Sequence, residues 1–212
     1  SVALAFYVSR APTLAIVELQ FPCLAAAIPS DHGYLLYSAI SRLVPEVHSA
    51  DRIAIATIPG MATGTGLTVT SSGAVMRLRL PVERVGLLSH LAGKTLDLKG
   101  CALALEEPRL VVLSPSPRLD ARIVTIRGYT DTAPFLDAVG RKLDCLSIVA
   151  DVIPGPRRVV RIASRTVVGF ALSLRGLNER DSLTLQETGI GGRRRVGCGI
   201  LIPSSPPTSL VE

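Results

Sequence analysis

Apolar positions along the chain switch between a period of two and a period near 3.6, and the switching lays out the same order of elements twice. Thr13 to Phe21 predicts a strand. Ser30 and Asp31 precede a helix from about Tyr34 to Val44, because Leu36, Ala39, Ile40 and Leu43 share one face, and Pro45 ends it. The Gly/Thr-rich stretch from Gly60 to Gly66 leads into a predicted hairpin with arms Leu67–Thr70 and Val75–Leu80, turned at Ser71, Ser72 and Gly73. Pro81 opens a helix to about Leu91, Gly93 stops it, and Thr95 to Leu105 supplies the closing strand or strands.

Past a Ser/Pro linker, Ser114 to Pro117, the order recurs. Arg122–Arg127 reads as a strand and Ala133 to about Leu146 as a helix with Phe135, Leu136, Val139, Leu143 and Leu146 inward. Two strands follow, Val159–Ala163 and Val167–Leu174. Asn178, with Asp181 three residues on, is the start of a helix that runs to about Thr188 and closes at Gly189. Cys198–Ile202 is the last strand. The expectation is an α+β protein of two tandem ferredoxin-like (RRM-like, βαββαβ) domains, 1–113 and 118–203, with a flexible tail at 204–212. That fold serves many activities, so function has to come from particular residues.

Composition narrows the classes. With 48% hydrophobic residues in 212, the chain has enough apolar mass for one large core or two small ones, and disorder is excluded for most of it. The most apolar stretch, Ala11 to Ile28, is interrupted by Pro12, Glu18, Gln20 and Pro22, short of the roughly 20 apolar residues a membrane span needs, so no membrane association is expected. No basic start leads into an apolar run, so no targeting peptide is expected and a cytoplasmic location is the default. Cys23, Cys101, Cys145 and Cys198 stand singly and read as small buried hydrophobes. With no metalloprotease motif, EF-hand loop or carboxylate cluster, neither a metal nor a cofactor is expected.

Charge is unevenly placed. Before Arg118 there are nine basic and eight acidic residues; from Arg118 onward there are 14 and nine. Of the basic residues 20 are arginine, whose planar fork suits phosphates and base edges, so a polyanionic partner and an arginine-rich genome are both open readings. Arg157, Arg158, Arg161, Arg165 and Arg175 fall on the predicted hairpin of the second half, placed to follow an RNA stem or to form a solvated face. Arg77 and Arg79, alternating with Met76, Leu78 and Leu80, extend the same choice to the first half. There is no Trp and only four Tyr, so recognition would lean on charge and backbone shape.

The most specific segment runs from Gly189 to Leu201, five glycines and the triplet Arg193, Arg194, Arg195 between a helix and a strand. Positive-φ glycines there would let successive amides line a phosphate while the arginines neutralise it. It is not a P-loop: Cys198 and Gly199 stand where Lys and Ser/Thr are required, and the dinucleotide fingerprint fails at its third glycine.

This G-x-G, basic insert, G-x-G pattern before a final strand resembles the C-terminal glycine-rich loop of the RAMP superfamily. Pro29 to Arg42 (PSDHGYLLYSAISR), Leu91 to Leu98 (LAGKTLDL) and Leu185 to Gly199 (LQETGIGGRRRVGCG) resemble its CRISPR repeat-RNA endoribonucleases, the Cas six family, in the Myxan subtype. The resemblance implies metal-independent cleavage of CRISPR precursor RNA within each repeat, leaving a 2′,3′-cyclic phosphate, and an enzyme that stays on its product. It implies repeat RNA (pre-crRNA and crRNA) as partner, with other Cas subunits of an effector complex as further partners. A noncatalytic RNA-binding RAMP subunit is the alternative.

Carried onto this sequence, the resemblance puts the histidine of the first helix at His32, next to unpaired amides and able to exchange protons near neutrality. His32 would either deprotonate the attacking 2′-OH or protonate the leaving 5′ oxygen. Tyr37 would donate to a phosphate oxygen or pack in the core, Arg42 would steady developing charge, and Asp31 would orient His32 or cap the helix. His48, in the loop after Pro45, is the competing base, and His90 reads as a helix C-cap. Gly191, Gly192, Gly197 and Gly199 with Arg193 to Arg195 are the expected RNA-binding loop.

Overall fold

The computed structural model describes residues 15–204. The first half contains β1 (Ile16–Leu24), β2 (Ala27–Pro29), α1 (Gly33–Leu43), a 3-10 turn at Pro45–His48, β3 (Ala54–Ile55), β4 (Met61–Ala62), β5 (Leu67–Val69), β6 (Val75–Pro81), α2 (Val85–Ser89), β7 (Thr95–Leu98), β8 (Cys101–Leu105) and β9 (Arg109–Val112). The second contains β10 (Arg118–Val124), α3 (Thr132–Cys145), β11 (Asp151–Ile162), β12 (Arg165–Arg175), α4 (Glu179–Thr188) and β13 (Ile202–Pro203). It is a mixed α+β fold on antiparallel sheets. The first half's main sheet runs β3-β6-β1-β8-β7 with β9 also on β1, and the second half's runs β11-β12-β10-β13.

Each sheet buries one face beneath its helices. Leu19, Phe21, Met76, Leu78 and Leu80 meet Leu36 and Ile40 of α1; Leu119, Ala121, Phe170, Leu172 and Leu174 meet Phe135 and Val139 of α3 and Leu185 of α4. Helices α1, α3 and α4 fall where the sequence put them, and Asn178 caps α4 as expected, its Oδ1 accepting from the Asp181 amide at 2.9 Å. Gly189 ends that helix at φ 66°.

Several expectations need correction. Leu67–Thr70 and Val75–Leu80 do not form a hairpin: β6 gives one edge to β1, from Ile16↔Pro81 to Pro22↔Val75, and the other to β3, so β5 pairs instead with β2 and β4 in a separate small sheet. The helix expected from Pro81 is short because Pro81 belongs to β6 and a 3-10 turn takes Val82–Arg84. Arg109–Val112, not foreseen as a strand, pairs with β1. The expected strand at Arg122–Arg127 lies earlier, at β10. The strand expected at Val159 starts back at Asp151, because β11 is an edge strand that absorbs Pro154 and Pro156 around a bulge. The last strand shrinks to Ile202–Pro203. All four thiols are unpaired, but Cys145 is exposed rather than buried and Cys101 is half-buried. Thr13 and Leu14 of the first predicted strand, and residues 205–212 of the predicted tail, lie outside the described residues. Among the described residues no helix is long and apolar enough to cross a membrane.

Candidate active site

The two halves meet through a small apolar cluster, Ala54 and Ala56 against Ile200 and Ile202, and through polar groups. Arg79, only 2% exposed, leaves the β6 face that alternation marked as outward and crosses to the second half, where its Nη1 donates to the carbonyls of Gln186 (3.0 Å) and Leu201 (2.5 Å). Its Nε donates to Glu18 Oε2 at 2.9 Å, while Arg77 (3.1 Å) and Gln20 (2.7 Å) donate to Glu18 Oε1. Burial alone would raise the Glu18 carboxyl, but Arg79, Gln20 and Arg77 outweigh it and hold it below its ordinary value. So Arg79 is an interface residue, not part of an RNA-facing stripe.

Gly33 and Gly197 make a second contact. A β-carbon at Gly33 would stand 2.3 Å from the Val196 carbonyl oxygen, and one at Gly197, where φ is 85°, would stand 2.7 Å from Thr57 Cγ2. The first turn of α1 and the end of the glycine loop therefore approach as closely as backbones can. Arg122 donates to Ser30 O at 3.0 Å, and Asp31, instead of capping α1, accepts the Arg161 amide at 2.5 Å.

His32 is the N-cap residue of α1, and it is buried, 2% exposed. The Pro29 carbonyl 2.8 Å from Nδ1 can only accept, and the Ile58 amide 2.8 Å from Nε2 can only donate. The ring is thus held as the neutral Nδ1–H tautomer with both nitrogens bonded to backbone groups, so the proton transfer expected of it would first require one of these bonds to open. Desolvation pushes its pKa below the ordinary 6.5 despite the Pro29 bond. A depressed imidazole pKa gives stability that is complete above the unfolded-chain value near 6.5 and is lost as pH falls from there through the folded value. We predict that His32→Ala costs about 2–4 kcal/mol by leaving two backbone groups unpaired beside a cavity. Denaturant melts at pH 7.5 check this, and the wild-type advantage should shrink toward pH 5.

His48 is different. It closes the 3-10 turn after α1, its side chain is exposed, and its Nδ1 lies 2.7 Å from Tyr37 Oη with the rings edge to face at 5.5 Å. Tyr37 lines a cleft of about 500 Å³ together with Arg52, Ile162 and the loop from Gly191 to Val196. The histidine expected as the competitor is therefore the one beside the arginine loop. Arg42 is exposed at the end of α1, about 140° around the helix from Tyr37, and does not line the cleft. Arg52, which carried no signal in the sequence, does, and it approaches Glu187 at 4.0 Å. His90 is the C-cap of α2, as expected.

The loop's glycines serve the protein before any ligand. Gly191, Gly197 and Gly199 have φ of 77°, 85° and 68°, and a β-carbon at Gly191 or Gly199 would stand 2.4 or 2.3 Å from the Thr125 or Ile190 carbonyl oxygen; Gly192 is open. The amides of Ile190, Gly192, Val196, Gly197, Cys198 and Gly199 all donate to protein carbonyls, so the expected amide cradle for phosphate is largely used up in folding the loop. Its electropositive character lies in side chains. Arg193 is exposed and lies 3.5 Å from Thr125 Oγ1. Arg194 has buried Nε and Nη2 atoms without a hydrogen-bond partner, and burial, with the charges of Arg79 and Arg52, brings its pKa down to about 10. Arg195 reaches back to the carbonyls of Val47 and His48.

Arg157, Arg158, Arg161 and Arg165 are exposed on the outer part of the β11–β12 hairpin, with Arg158 close enough to Arg122 to lower the latter's pKa after burial has done so. Arg175 is exposed too, but ten residues along β12 from Arg165, about 33 Å away, and so apart from that group. Among the described residues no three His, Cys, Asp or Glu side chains converge as metal ligands.

The fold is similar to those of solved RAMP and Cas6-related structures. An RAMP protein binding different RNA substrates matches 89% of this chain and all of its own at a TM-score of 0.66 and 11% identity. The product of a Cas6-related gene from Pyrococcus furiosus matches 89% of this chain and 98% of its own at 0.62 and 12%. At such identities the likeness is one of fold. In sequence, the family model described as Cas6 Crispr matches residues 17–206, and the CRISPR-associated endonuclease Cas6 of Myxococcus xanthus is 41% identical over 190 residues, 90% of this chain and 82% of that protein. The chain belongs to the Cas6 family.

Proposed function

We propose that this chain is an endoribonuclease that cuts CRISPR precursor RNA within its repeats and needs no metal ion to do so. The 2′-OH attacks the adjacent phosphate, giving one product ending in a 2′,3′-cyclic phosphate and another beginning with a 5′-OH, and the protein stays on its product. The observation that carries this reading is that Tyr37, which lines the cleft together with the arginine-bearing glycine loop, is hydrogen-bonded to His48, whose backbone carbonyl that loop also reaches. The reaction moves one proton off the 2′-OH and one onto the 5′ oxygen, and needs positive charge at the phosphate between them. His48, steadied at Nδ1 by Tyr37, turns Nε2 toward one of those protons, while Arg194 and Arg52 stand on the side where negative charge builds. The named activity of the Myxococcus relative and the pre-cleavage RNA complex of a fold relative, Thermus thermophilus Cse3 (TM-score 0.51), agree with it.

Each half is read as one ferredoxin-like unit, divided at Ser114–Pro117. The support is strand order: taking β1, β3, β6 and β8 as the four strands of the first half and β10 to β13 as those of the second, both sheets run second-third-first-fourth.

The test is incubation with repeat RNA in EDTA. Wild-type protein is expected to cut at one position, and a deoxyribose just 5′ of the scissile phosphate is expected to bind as tightly and remain intact, because the nucleophile is gone. Binding without cleavage of the all-ribose RNA would point to a noncatalytic subunit, and cutting of the deoxy substrate would eliminate 2′-OH attack.

A further inference from the structure

We propose that Arg195 is the residue that positions His48 for proton transfer, an assignment that rests on the function proposed above. His48 ends a single 3-10 turn, Pro45–His48, whose anchor in the core is the fully buried Val47. A turn this short has carbonyls at its end with no partner inside it, and an exposed side chain there takes its direction from whatever fixes those carbonyls. Arg195 does so from the other half of the molecule. Its Nη1 donates to the Val47 carbonyl at 3.0 Å and to the His48 carbonyl more closely still, placing a cation at the negative end of the turn.

His48 is thereby held at two points by two elements: the ring by Tyr37 from α1, the backbone by Arg195 from the loop. Arg195 itself sits in a 3-10 turn, Arg194–Val196, with Arg194 beside it and Val196 packed on Gly33. The turn that presents charge to the cleft is therefore the turn that fixes the histidine, so a phosphate seated on the loop and the imidazole that serves it share one frame. All three arginines of the triplet line the cleft; Arg193 is the most exposed, Arg194 is partly buried there, and Arg195 alone is bonded to the histidine's backbone.

Single-turnover cleavage with enzyme in saturating excess over repeat RNA tests this. Arg195→Ala is expected to slow the cleavage rate constant by about 10–100-fold, the scale of a misplaced catalytic group, while the full amplitude is retained and RNA affinity stays within about threefold. Arg195→Lys, which offers a cation on a shorter arm, should fall between, and millimolar guanidinium should partly restore the alanine variant. A lower amplitude or Tm with an unchanged rate constant would reduce Arg195 to a folding contact, and lost affinity with an unchanged saturated rate would make it an RNA contact; either result overturns the proposal. Failure of the underlying function is read separately, from wild-type protein that does not cut or His48→Ala protein that cuts normally.

Discussion

His48→Ala is expected to lower the single-turnover cleavage rate by about 10²–10⁴-fold, the range over which a positioned acid or base contributes, and to leave repeat-RNA binding and the melting temperature nearly unchanged. The reasoning is geometric. The side chain is exposed, it is bonded to Tyr37 alone among the described side chains, and no core contact rests on it, so truncation removes chemistry without removing structure. Tyr37→Phe should follow it with a smaller loss, because the phenyl ring keeps its edge-to-face packing and only the hydroxyl that orients the imidazole is gone. His32→Ala gives the opposite pattern, a destabilised protein whose folded fraction cleaves at the ordinary rate. If the two histidine variants exchanged these behaviours, the assignment of the site to the His48 side of α1 would fall.

A sequence weighs those two histidines by local signals, and local signals favour His32 over the histidine that the proposed function uses. His32 stands just ahead of a helix and would look well placed for a phosphate, but whether its ring faces solvent depends on Ile58, 26 residues on, whose amide takes Nε2. His48 looks like loop. Its value comes from Tyr37, 11 residues back, and from Arg195, 147 residues ahead. The same divide runs through the fold. The cap at Asn178, the stop at Gly189 and the inward faces of α1 and α3 were legible because their causes lie within a few residues. The partner of Leu67–Val69 was not, because strand propensity specifies that an edge will pair and not with which strand. Alternation marked Arg77 and Arg79 as facing away from Met76 and Leu78, correctly; that the far side of Arg79 is covered by the second half is a fact of tertiary assembly.

The second large effect is expected at that contact. Glu18→Gln keeps the shape of the side chain and removes its charge, leaving the Arg79 guanidinium, 2% exposed, without a counter-ion. Breaking one side of a buried pair typically costs about 3–5 kcal/mol, and here it should appear as a lower denaturation midpoint at pH 7. The pH dependence is signed. Because Glu18 titrates below its ordinary 4.5 in the folded protein, its contribution is complete above that value and is lost as pH falls through the lower folded one, so the gap between wild type and Glu18→Gln should narrow under acid. The effect should also reach the cleft, since Arg79 grips Gln186 in α4 and Leu201 just beyond the glycine loop, the two ends from which that loop is hung. Replacing both partners with Leu and Met, as Glu18→Leu with Arg79→Met, should recover part of the stability because the only charge left without Glu18 is that of Arg77, which water reaches, but not the loop's placement, which needs the Arg79 guanidinium's bonds to those two carbonyls. Cleavage in the double variant therefore stays depressed while its melting transition returns toward wild type, and recovery of both together would show that the pair does no more than hold the halves in contact.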